Sequence, residues 1–215
     1  MTPPRTLRLE QAADELLVLL PGAYMKPEGF VAAGFFNAVQ RQQLALDVAV
    51  VDIDLASISS GEALPAIRKG ILAPARQHYR RITLGGISLG GFLALAMAAD
   101  HPDEVDGLCL LAPYPGSRLT RNSIARAGGL ALWRPGSEQL HDPEYRVWHW
   151  LQQPPAALPV FIGYGQEDRF AEGMAEVAAC LPAQCGHTVA GGHDWPAWRA
   201  LWDEYLQRQK TEGCA

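Results

Sequence analysis

The clearest chemical capacity in this chain lies in Gly86-Ile87-Ser88-Leu89-Gly90, a serine with glycine two positions away on either side. A serine hydroxyl is a weak nucleophile until a neighbouring base takes its proton. The base in turn needs a carboxylate that holds its ring and stabilises its charged form. His193, in Gly191-Gly192-His193-Asp194-Trp195, can act as that base. Asp168, in Gly163-Tyr-Gly-Gln-Glu-Asp168, can act as the orienting acid. Glu167 is one residue away and competes with it, and Asp194 adjoins the histidine but would struggle to reach its neighbour's ring. The plain structural reading of Asp168 is a loop residue capping a helix that starts near Ala171. His78, His101, His141, His149 and His187 read as structural.

Such a trio works only if the chain brings its members to one edge. Short apolar runs alternate with longer segments of helical type, which predicts an α/β fold: a mostly parallel central sheet flanked by helices. Strands are predicted at Leu16–Leu20, 47–53, 81–88, 106–112, 159–163 and 186–190, with residues 6–10 pairing beside the first as an edge strand. Helices are predicted over 31–41, 61–78, 89–100 and from Pro196 to about Gln209. Ser88 ends a predicted strand, and Asp168 and His193 fall just past two others. The serine stands at a strand-to-helix turn, where a side chain at Gly86 or Gly90 would meet backbone. Residues 117–157 separate two strands by more than a loop needs. They read as one single domain's insertion, either a small helical lid or a helix pair filling space.

The turn also aims the Leu89 N–H at the space above Ser88, as one half of an oxyanion hole. The second donor is expected from Leu20-Pro21-Gly22-Ala23-Tyr24-Met25, with Ala23 ahead of Tyr24. Tyr24, Met25, Tyr114, Trp133, Trp148, Trp150 and Trp195 could line an apolar acyl or aryl pocket, or simply pack the core and lid. Arg118, Arg121 and Arg126 could meet an anionic substrate group, with a solvated face as the preferred reading.

Composition narrows the field. The 215 residues carry 18 Lys and Arg against 23 Asp and Glu, a net charge of −5, which does not suit a phosphate backbone; no nucleic acid partner is expected. No stretch approaches the roughly 20 apolar residues that span a bilayer, and the first ten residues lack a signal peptide's apolar core. Cys109, Cys180, Cys185 and Cys214 form no metal-ligand spacing, so neither a metal nor a cofactor is expected. Reduced thiols in the cytoplasm are expected, with a Cys180–Cys185 disulfide as the weaker reading. Oligomeric state is not readable.

The order Ser88, Asp168, His193, with the runs Pro-Gly-Ala, Gly-Ile-Ser-Leu-Gly-Gly, Gly-Gln-Glu-Asp and Gly-Gly-His-Asp-Trp, resembles the α/β-hydrolase superfamily over about residues 15–209. The ending Gly-Gly-His-Asp-Trp-Pro-Ala-Trp is similar to the esterase-D and feruloyl-esterase branch, and the size to small carboxylesterases and acyl thioesterases. The resemblance implies a Ser–His–Asp mechanism on Ser88, His193 and Asp168, cleaving a carboxylic ester or thioester through an acyl-enzyme. An acyltransferase or perhydrolase would use the same residues, and a binding protein on a hydrolase scaffold is the non-enzymatic alternative. Many members carry His-Gly at the oxyanion strand, where this chain has Pro21-Gly22.

Overall fold

The computed structural model describes residues 3–212. In chain order the elements are β1 (Thr6–Leu9), β2 (Glu15–Leu20), α1 (Pro27–Ala32), α2 (Phe35–Gln42), β3 (Asp47–Val51), α3 (Leu55–Ser59), α4 (Ala63–Ile67) and α5 (Ala73–Ala75). There follow β4 (Arg81–Ile87), α6 (Leu89–Asp100), β5 (Gly107–Leu111), α7 (Arg118–Arg126), α8 (Pro143–Trp150), β6 (Val160–Gly165), α9 (Ala171–Ala179), β7 (Gly186–Val189) and α10 (Trp195–Glu212).

The seven strands form one sheet in the order β1-β3-β2-β4-β5-β6-β7. Only β1 is antiparallel to its neighbour. Both faces are covered, so the strands read as unbroken apolar runs rather than alternating ones. In β2, Leu16, Val18 and Leu20 enter one core with Leu93, Leu95 and Met97 of α6. Leu17 and Leu19 enter the other, with Phe30, Phe35 and Val39 of α1 and α2 and Trp198 and Trp202 of α10. Helix α6 is buried from Gly90 to Ala98, with the sheet on one side and α8 on the other. That double cover explains why it is apolar all round.

Two local expectations are corrected. The segment after the N-terminus pairs with β3, not beside β2, because β3 and β4 occupy both edges of β2. The buried Asp47 carboxylate pins the reversal between β1 and β2, accepting the N–H groups of Gln11 (2.7 Å) and Ala13 (3.3 Å) and the Tyr79 hydroxyl (2.8 Å). The helix expected over 31–41 is two helices, broken where Gly34 adopts φ 85°. The 61–78 segment runs from α4 through a π-turn at Arg68–Leu72 into α5, with Ile67, Ile71 and Leu72 buried as expected. Cys109 and Cys180 carry free thiols, so the Cys180–Cys185 disulfide does not form, and Cys214 lies outside the described residues.

Strand order fixes where a site can form. The connection leaving β2 leads to β3 on one side, and that leaving β4 leads to β5 on the other. Between the carboxyl ends of β2 and β4 the chain therefore parts, opening the crevice where open α/β sheets hold their ligands.

Candidate active site

Ser88 stands at this crevice, between β4 and α6, with φ 53° and ψ −116°. That positive φ is uncommon for a side-chain-bearing residue and costs energy that the surroundings must offset. The flanking glycines make the turn possible. A Cβ on Gly90 would lie 2.0 Å from the Leu20 carbonyl oxygen, and one on Gly86 would lie 2.5 Å from the same atom. The turn is pinned by Ser88 N–H donating to Leu111 O (3.1 Å) and by Ser88 O accepting from the N–H groups of Phe92 (3.1 Å) and Tyr114 (2.9 Å).

The loops after β6 and β7 bring the other two residues to the same place. His193 Nε2 lies 2.9 Å from Ser88 Oγ, and His193 Nδ1 lies 2.6 Å from Asp168 Oδ2. The Asp168 side chain is fully buried. Its second oxygen, Oδ1, accepts the Phe170 N–H at 2.9 Å just before α9. That bond closes a local turn ahead of the helix rather than a cap, since Phe170 stands at the N-cap of α9 with no side-chain cap, so the expected capping role is not what the carboxylate performs.

Glu167 takes a different place from Asp168. Its N–H donates to Gly191 O (3.0 Å) and its carboxylate accepts the Gly191 N–H, so it clamps the histidine's loop without touching the ring. Asp194 accepts the Ala197 and Trp198 N–H groups at the start of α10. The rings of Phe170 and Trp198 meet the imidazole edge to face, each with centroids 5.3 Å away. Neither stood out in the sequence as a neighbour of the histidine.

The loop after β2 runs beside the serine. A Cβ on Gly22 would be 3.4 Å from Ser88 Cβ. The Gly22 N–H meets Met25 Sδ at 3.2 Å, and the Met25 N–H closes a turn on Gly22 O at 3.1 Å. The N–H groups of Ala23 and Tyr24 donate to no described group, and Leu89, first in α6, has no intrahelical acceptor for its own.

The expected apolar pocket does not assemble as read. Trp133 and Trp148 are only 2% and 3% exposed. Their indole N–H groups donate to Ser123 Oγ and Pro115 O, fixing the insertion to itself and to the chain after β5. They are packing residues: both indoles belong to the core on this face of the sheet, and that of Trp148 lies against Pro115 and Gly116. The Tyr24 side chain is 89% exposed. Met25 is folded back on Gly22, and Trp195 packs edge to face on Phe30, Phe35 and Trp198. Tyr114 remains beside the site, against Phe92 and Phe170. Burial and then the Glu144 charge hold its hydroxyl above the usual tyrosine range. Among the described residues no group of three or more His, Cys, Asp or Glu side chains could hold a metal, and no helix is long and apolar enough to cross a membrane.

A family model described as "Putative esterase" matches residues 65–208, about two thirds of the chain. The chain belongs to this esterase family. The enzyme is a serine esterase of the α/β-hydrolase type. Solved structures carry the same fold. Est1E from Butyrivibrio proteoclasticus is 16% identical, with a TM-score of 0.65 over 96% of this chain and 92% of that one. The fluorophosphonate-binding serine hydrolase FphF of Staphylococcus aureus is 13% identical, with a TM-score of 0.60 over 95% and 98%. A monoacylglycerol lipase of Paleococcus ferrophilus is 16% identical, with a TM-score of 0.60 over 95% and 98%. No curated protein sequence matches this chain.

Proposed function

We propose that the enzyme cleaves carboxylic esters, and thioesters of the same acyl groups, through an acyl-enzyme on Ser88. The observation that supports this is the unbroken hydrogen-bond chain from Asp168 Oδ2 through the imidazole of His193 to Ser88 Oγ. His193 Nε2 takes the hydroxyl proton as Oγ attacks the acyl carbon. Asp168 holds the ring with Nδ1 protonated and stabilises the imidazolium that forms. The oxyanion sits at the amino end of α6, held by the Leu89 N–H and by that of Ala23 or Tyr24, which carry no other partner among the described residues. His193 then returns its proton to the departing alcohol or thiol, and water cleaves the acyl-enzyme by the same route.

The whole chain acts as one domain, with 117–157 as its cap. The bidentate Arg146–Asp100 pair, at 2.7 and 3.0 Å, ties α8 to the end of α6. This supports a fixed rim rather than a swinging lid. The cytoplasm is the proposed compartment, which fractionation of the native cells would test.

Rapid mixing with a 4-nitrophenyl ester tests the mechanism. A burst of nitrophenol equal to the enzyme concentration is expected, and Ser88→Ala should abolish burst and turnover. Comparable turnover by the variant would overturn the assignment.

A further inference from the structure

Beside the Ser88–His193 pair lies a pocket of about 310 Å³, lined by Tyr114, Pro115, Gly116, Ser117, Phe170 and Gly173 and rimmed by Arg118, Arg121, Arg169 and Glu172. We infer that it is an anion subsite. In it Arg118 and Arg169 select esters that carry a carboxylate or phosphate group close to the scissile bond. The inference rests on the esterase reading of Ser88.

Position is the first argument. Tyr114 and Phe170 form a wall shared with the catalytic pair, since the Tyr114 N–H donates to Ser88 O and the Phe170 ring packs on His193. The Arg169 guanidinium stacks over Phe170 at 4.7 Å. With the imidazole centre 5.3 Å beyond that ring, the cation lies at most about 10 Å from His193. A substrate of ordinary length can span that distance.

Charge is the second argument. Arg121 is already engaged, bonding both oxygens of Glu176 at 2.7 Å and lying 3.2 Å from Glu172. It acts as a strut between α7 and α9. Glu144, the remaining acid nearby, accepts the Ser117 N–H and the Thr120 hydroxyl, both at 2.8 Å. The Arg118 and Arg169 guanidinium groups form no hydrogen bond or ion pair with any described residue, and that of Arg169 only stacks on Phe170. The first turns of α7 and α9 open onto the same space, which favours negative charge there. A guanidinium matches the oxygens of a carboxylate or phosphate, and such charge-assisted bonds strengthen as water is excluded. Arg126, which the sequence grouped with Arg118 and Arg121, bonds Asn122 O on its own helix and takes no part.

The test compares 4-nitrophenyl hexanoate with 4-nitrophenyl hydrogen adipate, acyl groups of equal length that differ in one terminal carboxylate. The wild-type enzyme should prefer the adipate ester in kcat/KM, with the preference fading as salt is raised. In Arg118→Gln/Arg169→Gln the ratio of the two kcat/KM values should fall by roughly tenfold, the effect of one lost charge-assisted contact. Arg118→Lys/Arg169→Lys should recover part of it. Inhibition of hexanoate hydrolysis by free adipate or by inorganic phosphate distinguishes the two oxyanions. An unchanged ratio, or an equal loss on both esters, would overturn the subsite. Should neither ester be hydrolysed, the esterase reading fails separately. Calorimetric titration of Ser88→Ala with methyl hydrogen adipate then decides the subsite alone: binding removed by the double glutamine substitution supports it, and no binding overturns it.

Discussion

Asp168 and Glu167 are adjacent acids with different tasks. Asp168 reaches the imidazole with one buried oxygen, whereas Glu167 closes a two-bond clamp on Gly191 from the exposed side. Asp168→Asn should therefore lower kcat by about ten-thousandfold with the geometry kept, because the ring loses its charged partner and its tautomer. Glu167→Ala should lower kcat by less than about tenfold and reduce the melting temperature, since it frees a loop rather than a proton path. Steady-state kinetics and thermal unfolding of the two variants check this, and equal losses of kcat would assign the clamp and the acid wrongly. The sequence could place a carboxylate after β6 but could not decide by itself which of two neighbours turned inward. Of its two readings of Asp168, the cap is not what forms: Phe170 stands at the N-cap of α9 with no side-chain cap, Asp168 Oδ1 accepts the Phe170 N–H, and Oδ2 faces the imidazole. Trp133 and Trp148 were legible as large apolar side chains but not as to where they face. Helix α8 carries apolar residues on several sides, so periodicity does not fix its rotation.

At the scale of elements, the strand-to-helix turn was the most legible feature, with β4 and α6 ending within a residue of their predicted limits. Its glycines are demanded by backbone, and backbone contacts follow directly from the motif. Gly90→Ala places a methyl group 2.0 Å from Leu20 O. It should cost more than about 3 kcal/mol, enough to lower the melting temperature by roughly 10 °C. Soluble yield and circular dichroism measure this, and a stable Gly90→Ala enzyme would contradict the account of the turn. The break at Gly34 and the pairing of β1 were not legible. The first depends on one left-handed residue inside an otherwise helical pattern. The second depends on which sheet edge is already occupied, a property of the whole sheet. The insertion's attachment is open to a milder test. Arg146→Ala removes the bidentate tie to Asp100, whose partners are roughly a quarter to a third exposed. The expected cost is about 1 kcal/mol in urea unfolding, with KM little changed if the cap is a fixed rim. A large rise in KM would instead make the cap a moving part.

Across the whole molecule, stability and site geometry meet at the carboxyl edge of the sheet. Just past β3, Asp52 accepts Arg5 Nη2 and Lys26 Nζ, each at 3.0 Å, joining the start of β1 and the approach to α1. Partial burial pulls its pKa upward, but the hydrogen bonds and charges of Lys26 and Arg5 outweigh that and hold it below the ordinary carboxylate value. A carboxyl whose folded pKa is depressed contributes stability above its unfolded pKa and loses it as pH falls through the folded one. Asp52→Asn should thus be less stable by about 1 kcal/mol at pH 7, with the gap closing as pH falls below the ordinary carboxylate value and through the lower folded one. Urea unfolding across that range checks it, and a constant offset would contradict it. The same edge carries the parting of the chain between β2 and β4, and there the loops after β2, β4, β6 and β7 converge on Ser88. That convergence is the central claim. The most direct measurement is intact-mass analysis after reaction with a fluorophosphonate, followed by peptide mapping. The account predicts one adduct per chain, on Ser88, and none in Ser88→Ala. An unmodified folded protein, or an adduct on another residue, would contradict it.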